Sequence, residues 1–198
     1  LMSGISAGGK DAVREKIQTI KPNFLFKAVT ATTRDIRKDE KNGTDYYFYN
    51  KKKFLSEVKK NNFIEHTLFG ENHYGSPKKS FDDALKRLEP VVCSHVEMKD
   101  GWPGVEQYFS SEYKGEKPFI LKVFVMPNME FSKYVNKWLP KIRNDWQNRS
   151  EIAAWEISVA AQKADIILIN KITKKDQESL KKQADGVIKL AFHLLASK

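Results

Sequence analysis

Gly4-Ile5-Ser6-Ala7-Gly8-Gly9-Lys10-Asp11 is the stretch on which the reading of this chain turns. Its first seven positions fit the pattern G-x-x-x-x-G-K-[ST], which lies between a strand and a helix. Glycines there let backbone N–H groups converge on phosphate oxygens, and the helix that follows turns the positive end of its dipole toward the same anion. Lys10 then reaches the outer phosphates, so Gly4, Ser6, Ala7, Gly8, Gly9 and Lys10 form the candidate phosphate cradle. A glycine-rich turn without a ligand is the bland alternative. Asp11 stands where the pattern carries Ser or Thr. A carboxylate binds Mg²⁺ more strongly than a hydroxyl does but repels the phosphates beside it. Asp11 either holds the metal, directly or through water, or stabilises the first helical turn. Only Leu1-Met2-Ser3 precedes the loop, so further residues are expected ahead of Leu1, and no secretory leader is expected.

Outward from the loop, apolar strand patterns alternate with amphipathic helical ones. Leu1 to Ser3, Phe26 to Thr32, Val91 to Glu97, Phe119 to Val125 and Asp165 to Asn170 read as five buried strands. Ala12 to Ile20, Trp102 to Phe109, Met129 to Trp138, Ser150 to Lys163 and Thr173 to Leu195 carry apolar residues at spacings of three and four. In the last, Leu180, Ala184, Val187, Ile188, Ala191 and Leu195 share one stripe. This alternation predicts an α/β fold with a five-stranded parallel sheet, helices on both faces, and ligands at the carboxyl ends of the strands. From about Arg34 to Leu85 the alternation breaks. Short aromatic-rich strand patterns, Asp45-Tyr46-Tyr47-Phe48 and Phe63 to Phe69, surround a helix near Lys52 to Lys60 and predict a small mixed α/β lobe. The expected division is a core of residues 1–33 and 86–198, interrupted by a lobe of residues 34–85.

At 198 residues, with 40% hydrophobic and 30% charged residues, the chain can bury a real core. Four Trp, seven Tyr and twelve Phe exclude a disordered chain in spite of a net charge of +10. The charge is therefore a surface property, attractive to nucleotides, nucleic acid and anionic membranes alike. No apolar run approaches the roughly 20 residues that span a bilayer, and no membrane association is expected. The single Cys93 lies in the apolar run Val91-Val92-Cys93 and reads as a buried thiol in a reducing, cytoplasmic setting.

The lobe holds a telling order of segments: Thr30-Ala31-Thr32-Thr33-Arg34-Asp35-Ile36-Arg37, Asn42-Gly43-Thr44-Asp45-Tyr46-Tyr47-Phe48, Phe63-Ile64-Glu65 and Tyr74-Gly75-Ser76. Arg34 and Arg37 can grip a phosphate with forked donors, and Tyr46 and Tyr74 can add hydroxyls. Guanine offers two adjacent donors and an acceptor at O6, so a carboxylate and a hydroxyl can tell it from adenine; Glu65, Thr30 and Ser76 are the candidates. Singly, each of these residues reads equally well as surface, core or a strand-end ion pair. Together, in register behind the loop, they resemble the T-T-R-x-x-R, N-G-x-D-Y-x-F, F-[IL]-E and Y-G-[ST] segments of the guanylate kinases.

That resemblance implies the P-loop kinase fold and transfer of the terminal phosphoryl group of MgATP to GMP or dGMP. It implies a GMP site of Thr30, Arg34, Arg37, Tyr46, Glu65, Tyr74, Ser76 and Glu97, and ATP contacts from the loop, Asp11 and Asn170. Ile166-Ile167-Leu168-Ile169-Asn170 looks like the family's final strand. The match thins at His95-Val96-Glu97-Met98-Lys99-Asp100-Gly101, where the family carries D-x-D-x-Q-G. Glu97 falls at an acidic position near metal and acceptor, and His95 reads as a packed histidine rather than a base. A lid near residues 138–149 is expected to close over ATP, with Lys137, Lys141, Arg143 and Arg149 around it. Arg143 and Arg149 are the candidates for contact with the transferred group, a solvated basic face being the alternative. No general base is demanded, because the acceptor phosphate is its own nucleophile.

Two other readings compete. A non-catalytic guanylate-kinase-like module would bind a phosphorylated peptide through the arginine clamp, but such modules tend to lose the loop lysine retained here as Lys10. A basic nucleic-acid binder is suggested by Lys51-Lys52-Lys53-Phe54, yet no nucleic-acid motif accompanies it. The favoured partners are nucleotides, and the sequence carries no signal for oligomeric state. On the kinase reading, the nest ending in Lys10 and the pair Arg34 and Arg37 are expected to face each other.

Overall fold

The computed structural model describes residues 1–170 and 177–196, apart from the side chains of Gln177 and Leu195. In chain order the elements are β1 (Met2–Ser3), α1 (Lys10–Ile20), β2 (Leu25–Lys27), β3 (Ala31–Thr32), β4 (Tyr47–Phe48), α2 (Lys51–Lys59), β5 (Phe63–Phe69), β6 (Asn72–Pro77) and α3 (Lys78–Leu85). There follow β7 (Val91–Cys93), α4 (Gly101–Gln107), β8 (Val123–Pro127), α5 (Phe131–Lys133), α6 (Leu139–Ile142), α7 (Trp146–Lys163), β9 (Ile166–Asn170) and α8 (Gln177–Ala196). The helix expected from Thr173 is described from Gln177 onward; its first residues and the Leu195 side chain lie outside the described residues.

The chain divides into two compact units. One comprises Leu1, Lys27–Leu88 and Val92–Leu121; the other comprises Met2–Phe26, Glu89–Val91 and Lys122–Lys198.

In the second unit, β1, β8 and β9 form a parallel sheet in the order β1-β8-β9. β8 is apolar throughout (Val123, Phe124, Val125) because it is the middle strand, covered on both faces. α1 buries Val13 and Ile17, one turn apart, and packs against α8, where Ala184 and Ile188 repeat the same spacing. Phe24 and Phe192 close the far end with ring centroids 5.1 Å apart.

In the first unit, a four-stranded mixed sheet runs β4-β3-β6-β5. β3 pairs parallel to β4, while β6 pairs antiparallel to both β3 and β5. Phe54 of α2 is fully buried against this sheet, stacked on Phe63 at 4.6 Å and on His73 at 5.3 Å. Asn50 starts α2 by accepting the Lys53 N–H at 2.8 Å, which fixes where that helix begins.

The expected single five-stranded sheet is divided. Phe26 to Thr32, read as one strand, is broken into β2 and β3; β2 pairs with β7 in a two-stranded sheet, and β3 joins the mixed sheet. The break follows from where the backbone groups go: Ala28 N–H bonds the Cys93 carbonyl, whereas the Thr30 carbonyl accepts Tyr47 N–H on another ladder. One continuous strand cannot serve both. Cys93 is buried, and no helix among the described residues is long and apolar enough to cross a membrane.

Candidate functional site

The loop between β1 and α1 is seated against a strand backbone. A Cβ on Gly4 would lie 2.0 Å from the Val125 carbonyl oxygen, and one on Gly8 2.9 Å from it. A Cβ on Gly9 would lie 1.9 Å from Asn170 Nδ2, and Gly9 begins α1 at φ 95° with no side-chain cap. Ala7 adopts φ 56°, which costs a non-glycine residue about 1–3 kcal/mol and marks the loop as held by its surroundings. Gly9 therefore offers no capping side chain to the first turn of α1, whose positive dipole end lies at this loop.

Side chains from distant segments converge on this loop. Lys10 Nζ donates to the Gly4 carbonyl at 2.7 Å and to the Ile5 carbonyl at 3.3 Å, folding back over the nest. Arg149 Nη1 donates to Ser6 Oγ at 3.2 Å and Arg143 Nε approaches the same oxygen at 3.4 Å. Tyr134, in a π-helical turn over Tyr134–Trp138, donates its hydroxyl to the Ser6 carbonyl at 3.0 Å. Asn170, at the end of β9, donates to the Gly8 carbonyl at 3.3 Å. Asp145 holds Arg149 Nε at 2.6 Å, and Glu156, two turns further along α7, is 8% exposed. Burial lowers the Lys10 ammonium below its ordinary value; Glu156 and Asp11 oppose that, while Arg143 and Arg149 reinforce it. Lys10, Arg143 and Arg149 thus gather positive charge at the loop, an arrangement that attracts anions. Asp11 points away into solvent, 3.6 Å from Arg14 Nη2, and Lys137 and Lys141 are exposed.

In the first unit the polar candidates line up across strands. A β-bulge in β5 between Phe63 and Glu65 sets Glu65 opposite Ser76 on β6. Extending the register of Ala31 with Gly75 by one residue sets Thr30 opposite Ser76 in turn, so the three side chains share one face. Thr30 and Ser76 are buried, and Ser76 donates its hydroxyl to Glu65 Oε1. Gly101 and Gly104 of α4 wrap the carboxylate: a Cβ on Gly104 would lie 2.9 Å from Glu65 Cβ, and one on Gly101 3.5 Å from Glu65 Oε2. Burial pushes the Glu65 carboxyl up to about 7, against the Ser76 hydrogen bond and with help from Glu97 and Asp100. Glu97 is brought beside Glu65, but its oxygens accept the N–H groups of Lys99, Asp100 and Gly101, each at 2.6 Å. It closes the loop ahead of α4.

Arg34, Tyr46 and Tyr74 also cluster. The Arg34 guanidinium lies 5.0 Å from the Tyr46 ring centroid and 5.4 Å from that of Phe48, and Tyr46 meets Tyr74 edge-on at 6.4 Å. Arg37 projects into solvent with its Nη1 3.9 Å from Glu40 Oε1. The Arg34 end-on edge is engaged by Glu40, Nη1 to Oε2 at 2.7 Å and Nη2 to Oε1 at 2.5 Å.

The guanylate kinase family model matches residues 1–93 of the chain, the span that holds the loop before α1, Arg34, Arg37 and the Glu65–Ser76 pair. Over residues 1–93 the chain is similar to the guanylate kinases. Beyond that span, a guanylate kinase of Rickettsia bellii is 28% identical over 166 residues, covering 84% of this chain and 78% of that protein. A guanylate kinase of Deinococcus radiodurans is 34% identical over 127 residues, or 64% of this chain and 48% of that protein, so the chain spans about half of that relative's length. The crystal structure of guanylate kinase from Anaplasma phagocytophilum has the same fold, with a TM-score of 0.62, 24% identity, and coverage of 98% of this chain and 84% of that one.

Against the guanylate kinase pattern, the sequence reasoning missed Tyr134, Asp145 and Glu156 around the nest, Gly101 and Gly104 around Glu65, and Glu40 at the clamp. The paired spacing Gly101-x-x-Gly104 directly after the departing segment is a signal from which a close backbone approach could have been read.

Proposed function

We propose that this chain transfers the terminal phosphoryl group of MgATP to GMP or dGMP, giving ADP and the diphosphate. The observation that carries this reading is the convergence of Lys10, at the loop's own end, and of Arg143 and Arg149, from more than 130 residues away in the chain, on residues Gly4–Ser6. An interaction module has no use for cations gathered around a phosphate nest.

On this reading the backbone of residues 4–9 binds the ATP phosphates, and Lys10 leaves the Gly4 carbonyl to meet the charge that develops on the moving group. Arg143 and Arg149 contribute to the same charge, and their region, residues 138–149, acts as the lid over ATP. Asn170 supports the loop from behind through Gly8. Arg34, Arg37, Tyr46 and Tyr74 hold the acceptor phosphate; Glu65 accepts from N1–H and the 2-amino group of guanine, with Ser76 and Thr30 beside it. Glu97 acts by holding the α4 loop against Glu65. Residues 34–85 form the acceptor lobe, and the remaining strands belong to one P-loop core. No step calls for a protein base, since the acceptor phosphate attacks directly.

ATP enters as its Mg²⁺ complex. Mg²⁺ takes few carboxylates and keeps water and phosphate oxygens, and among the described residues no cluster of three or more metal-binding side chains exists. The exposed carboxylate of Asp11, next to Lys10 and 3.6 Å from Arg14 Nη2, fits that habit and would hold the ion; when bound, the ion neutralises phosphate charge. If Asp11→Ala leaves both Mg²⁺ dependence and turnover intact, Asp11 serves only the helix. Turnover is tested with ATP, Mg²⁺ and each nucleoside monophosphate in a coupled assay, and the location expected for such an enzyme is the cytoplasm.

A further inference from the structure

The charged run Arg37-Lys38-Asp39-Glu40-Lys41 reads as solvated surface, yet Glu40 is drawn inward. Its side chain is 18% exposed and the Arg34 side chain 11%. Glu40 Oε2 accepts from Arg34 Nη1 at 2.7 Å and from the Arg37 backbone N–H at 3.0 Å, and Glu40 N–H returns a bond to the Arg37 carbonyl at 3.0 Å. Oε1 accepts from Arg34 Nη2 at 2.5 Å. One carboxylate thus ties the guanidinium of one arginine to the backbone of the other.

Counting the Arg34 hydrogens decides what this pair can do. A guanidinium has five N–H donors arranged as an end-on fork, Nη1 with Nη2, and a side-on fork, Nε with Nη2. Nη1 spends both its hydrogens, on Glu40 Oε2 and on the Asp35 carbonyl at 2.8 Å. Nη2 spends one, on Glu40 Oε1. The side-on fork, Nε–H with the second Nη2 hydrogen, bonds no protein group among the described residues. The rings of Tyr46 and Phe48 lie against the guanidinium and limit its rotation.

We propose that Glu40 is the positioning residue of the acceptor clamp: by holding Arg34 end-on and the Arg37 backbone together, it presents the side-on fork of Arg34 to the acceptor's phosphate. Glu40 does not touch the substrate. It acts through Arg34, and the inference rests on the kinase reading above for the identity of the anion. The opposite role is a plug, in which the carboxylate occupies the place of the phosphate and leaves when it binds. The two predict opposite signs on removal of the charge.

The test uses the full chain with Glu40→Gln, Glu40→Asp, Arg34→Lys and the double variant Arg34→Lys/Glu40→Gln. GMP binding is read by calorimetry without ATP, and KM and kcat are read in turnover. Glu40→Gln is expected to weaken GMP binding and raise its KM by about tenfold, as loss of a charge-assisted pair does, while the KM for ATP stays within about twofold. Glu40→Asp, which keeps the charge but shortens the reach, should fall between, and its thermal midpoint controls for folding. In the Arg34→Lys background the Glu40→Gln effect should vanish, because Glu40 has no fork left to aim. Tighter GMP binding by Glu40→Gln, an equal loss for ATP, or full additivity in the double variant overturns the proposal. If the wild type binds GMP without turning it over, the kinase reading fails while the affinities still judge Glu40; if it binds no monophosphate, both fall.

Discussion

Ser76 of β6 donates its hydroxyl to the Glu65 carboxylate of β5, and the two are register partners because of the bulge just before Glu65. One hydrogen bond does not offset the burial, and the Glu65 carboxyl stands at about 7 instead of 4.5. The folded protein therefore holds a proton there that the unfolded chain has released. That contribution is complete below the unfolded value of 4.5 and is lost as pH rises through about 7. Glu65→Gln should match the wild type in thermal stability near the low end of this window and exceed it at pH 8, by up to roughly 3 kcal/mol. Guanine needs the ionised acceptor, so the wild-type KM for GMP should fall as pH rises through the same range, and the variant should lose both that dependence and its base preference.

Lys10 is folded onto the Gly4 carbonyl in a loop where burial and two arginines lower its ammonium. Lys10→Met should lower kcat by roughly 10²–10³-fold, the range for removal of one preorganised electrostatic donor. Thermal unfolding should show no loss of stability, since a buried charge with imperfect compensation is removed.

Arg143 and Arg149 reach the same Ser6 hydroxyl oxygen. Arg143→Ala and Arg149→Ala should each lower kcat more than they raise the KM for GMP. Because the two act on one group, the double variant should cost less than the product of the single losses. Steady-state kinetics on the four proteins reads the coupling.

Two glycines separate function from stability. A Cβ on Gly9 would meet Asn170 Nδ2 at 1.9 Å, at a backbone φ of 95°, so Gly9→Ala should weaken ATP binding and lower the melting temperature together. Gly186, exposed in α8, has nothing within 4 Å of its Cβ position. Gly186→Ala should stabilise the protein by about 1 kcal/mol with unchanged kinetics, as helix propensity dictates.

Periodicity and capping made much of the fold legible. β5 occupies Phe63–Phe69 as read, and α2 begins at its Asn50 cap one residue from the expected start. β6 and α3 were not anticipated, because Asn72-His73-Tyr74-Gly75-Ser76-Pro77 has the composition of a turn and earns its strand from the partners on either side. The division of the core strands into separate sheets was equally hidden, since hydrogen-bond destinations at Ala28 and Thr30 leave no apolar signature. At the site, the loop glycines and Arg34 stand out in the local pattern, whereas Arg37, read beside Arg34, projects into solvent. Glu40 was not readable, because its charged run has the composition of solvated surface, and Glu156 was not, because it meets Lys10 only when distant segments are folded together.

The central claim is tested most directly by a nucleotide-specificity profile of the purified protein with MgATP. GMP and dGMP should be phosphorylated at rates that exceed those for AMP, CMP and UMP by at least about 100-fold, because the Glu65–Ser76 pair is left stranded by any base without the guanine donors. No turnover of any monophosphate, or equal turnover of all of them, would contradict it.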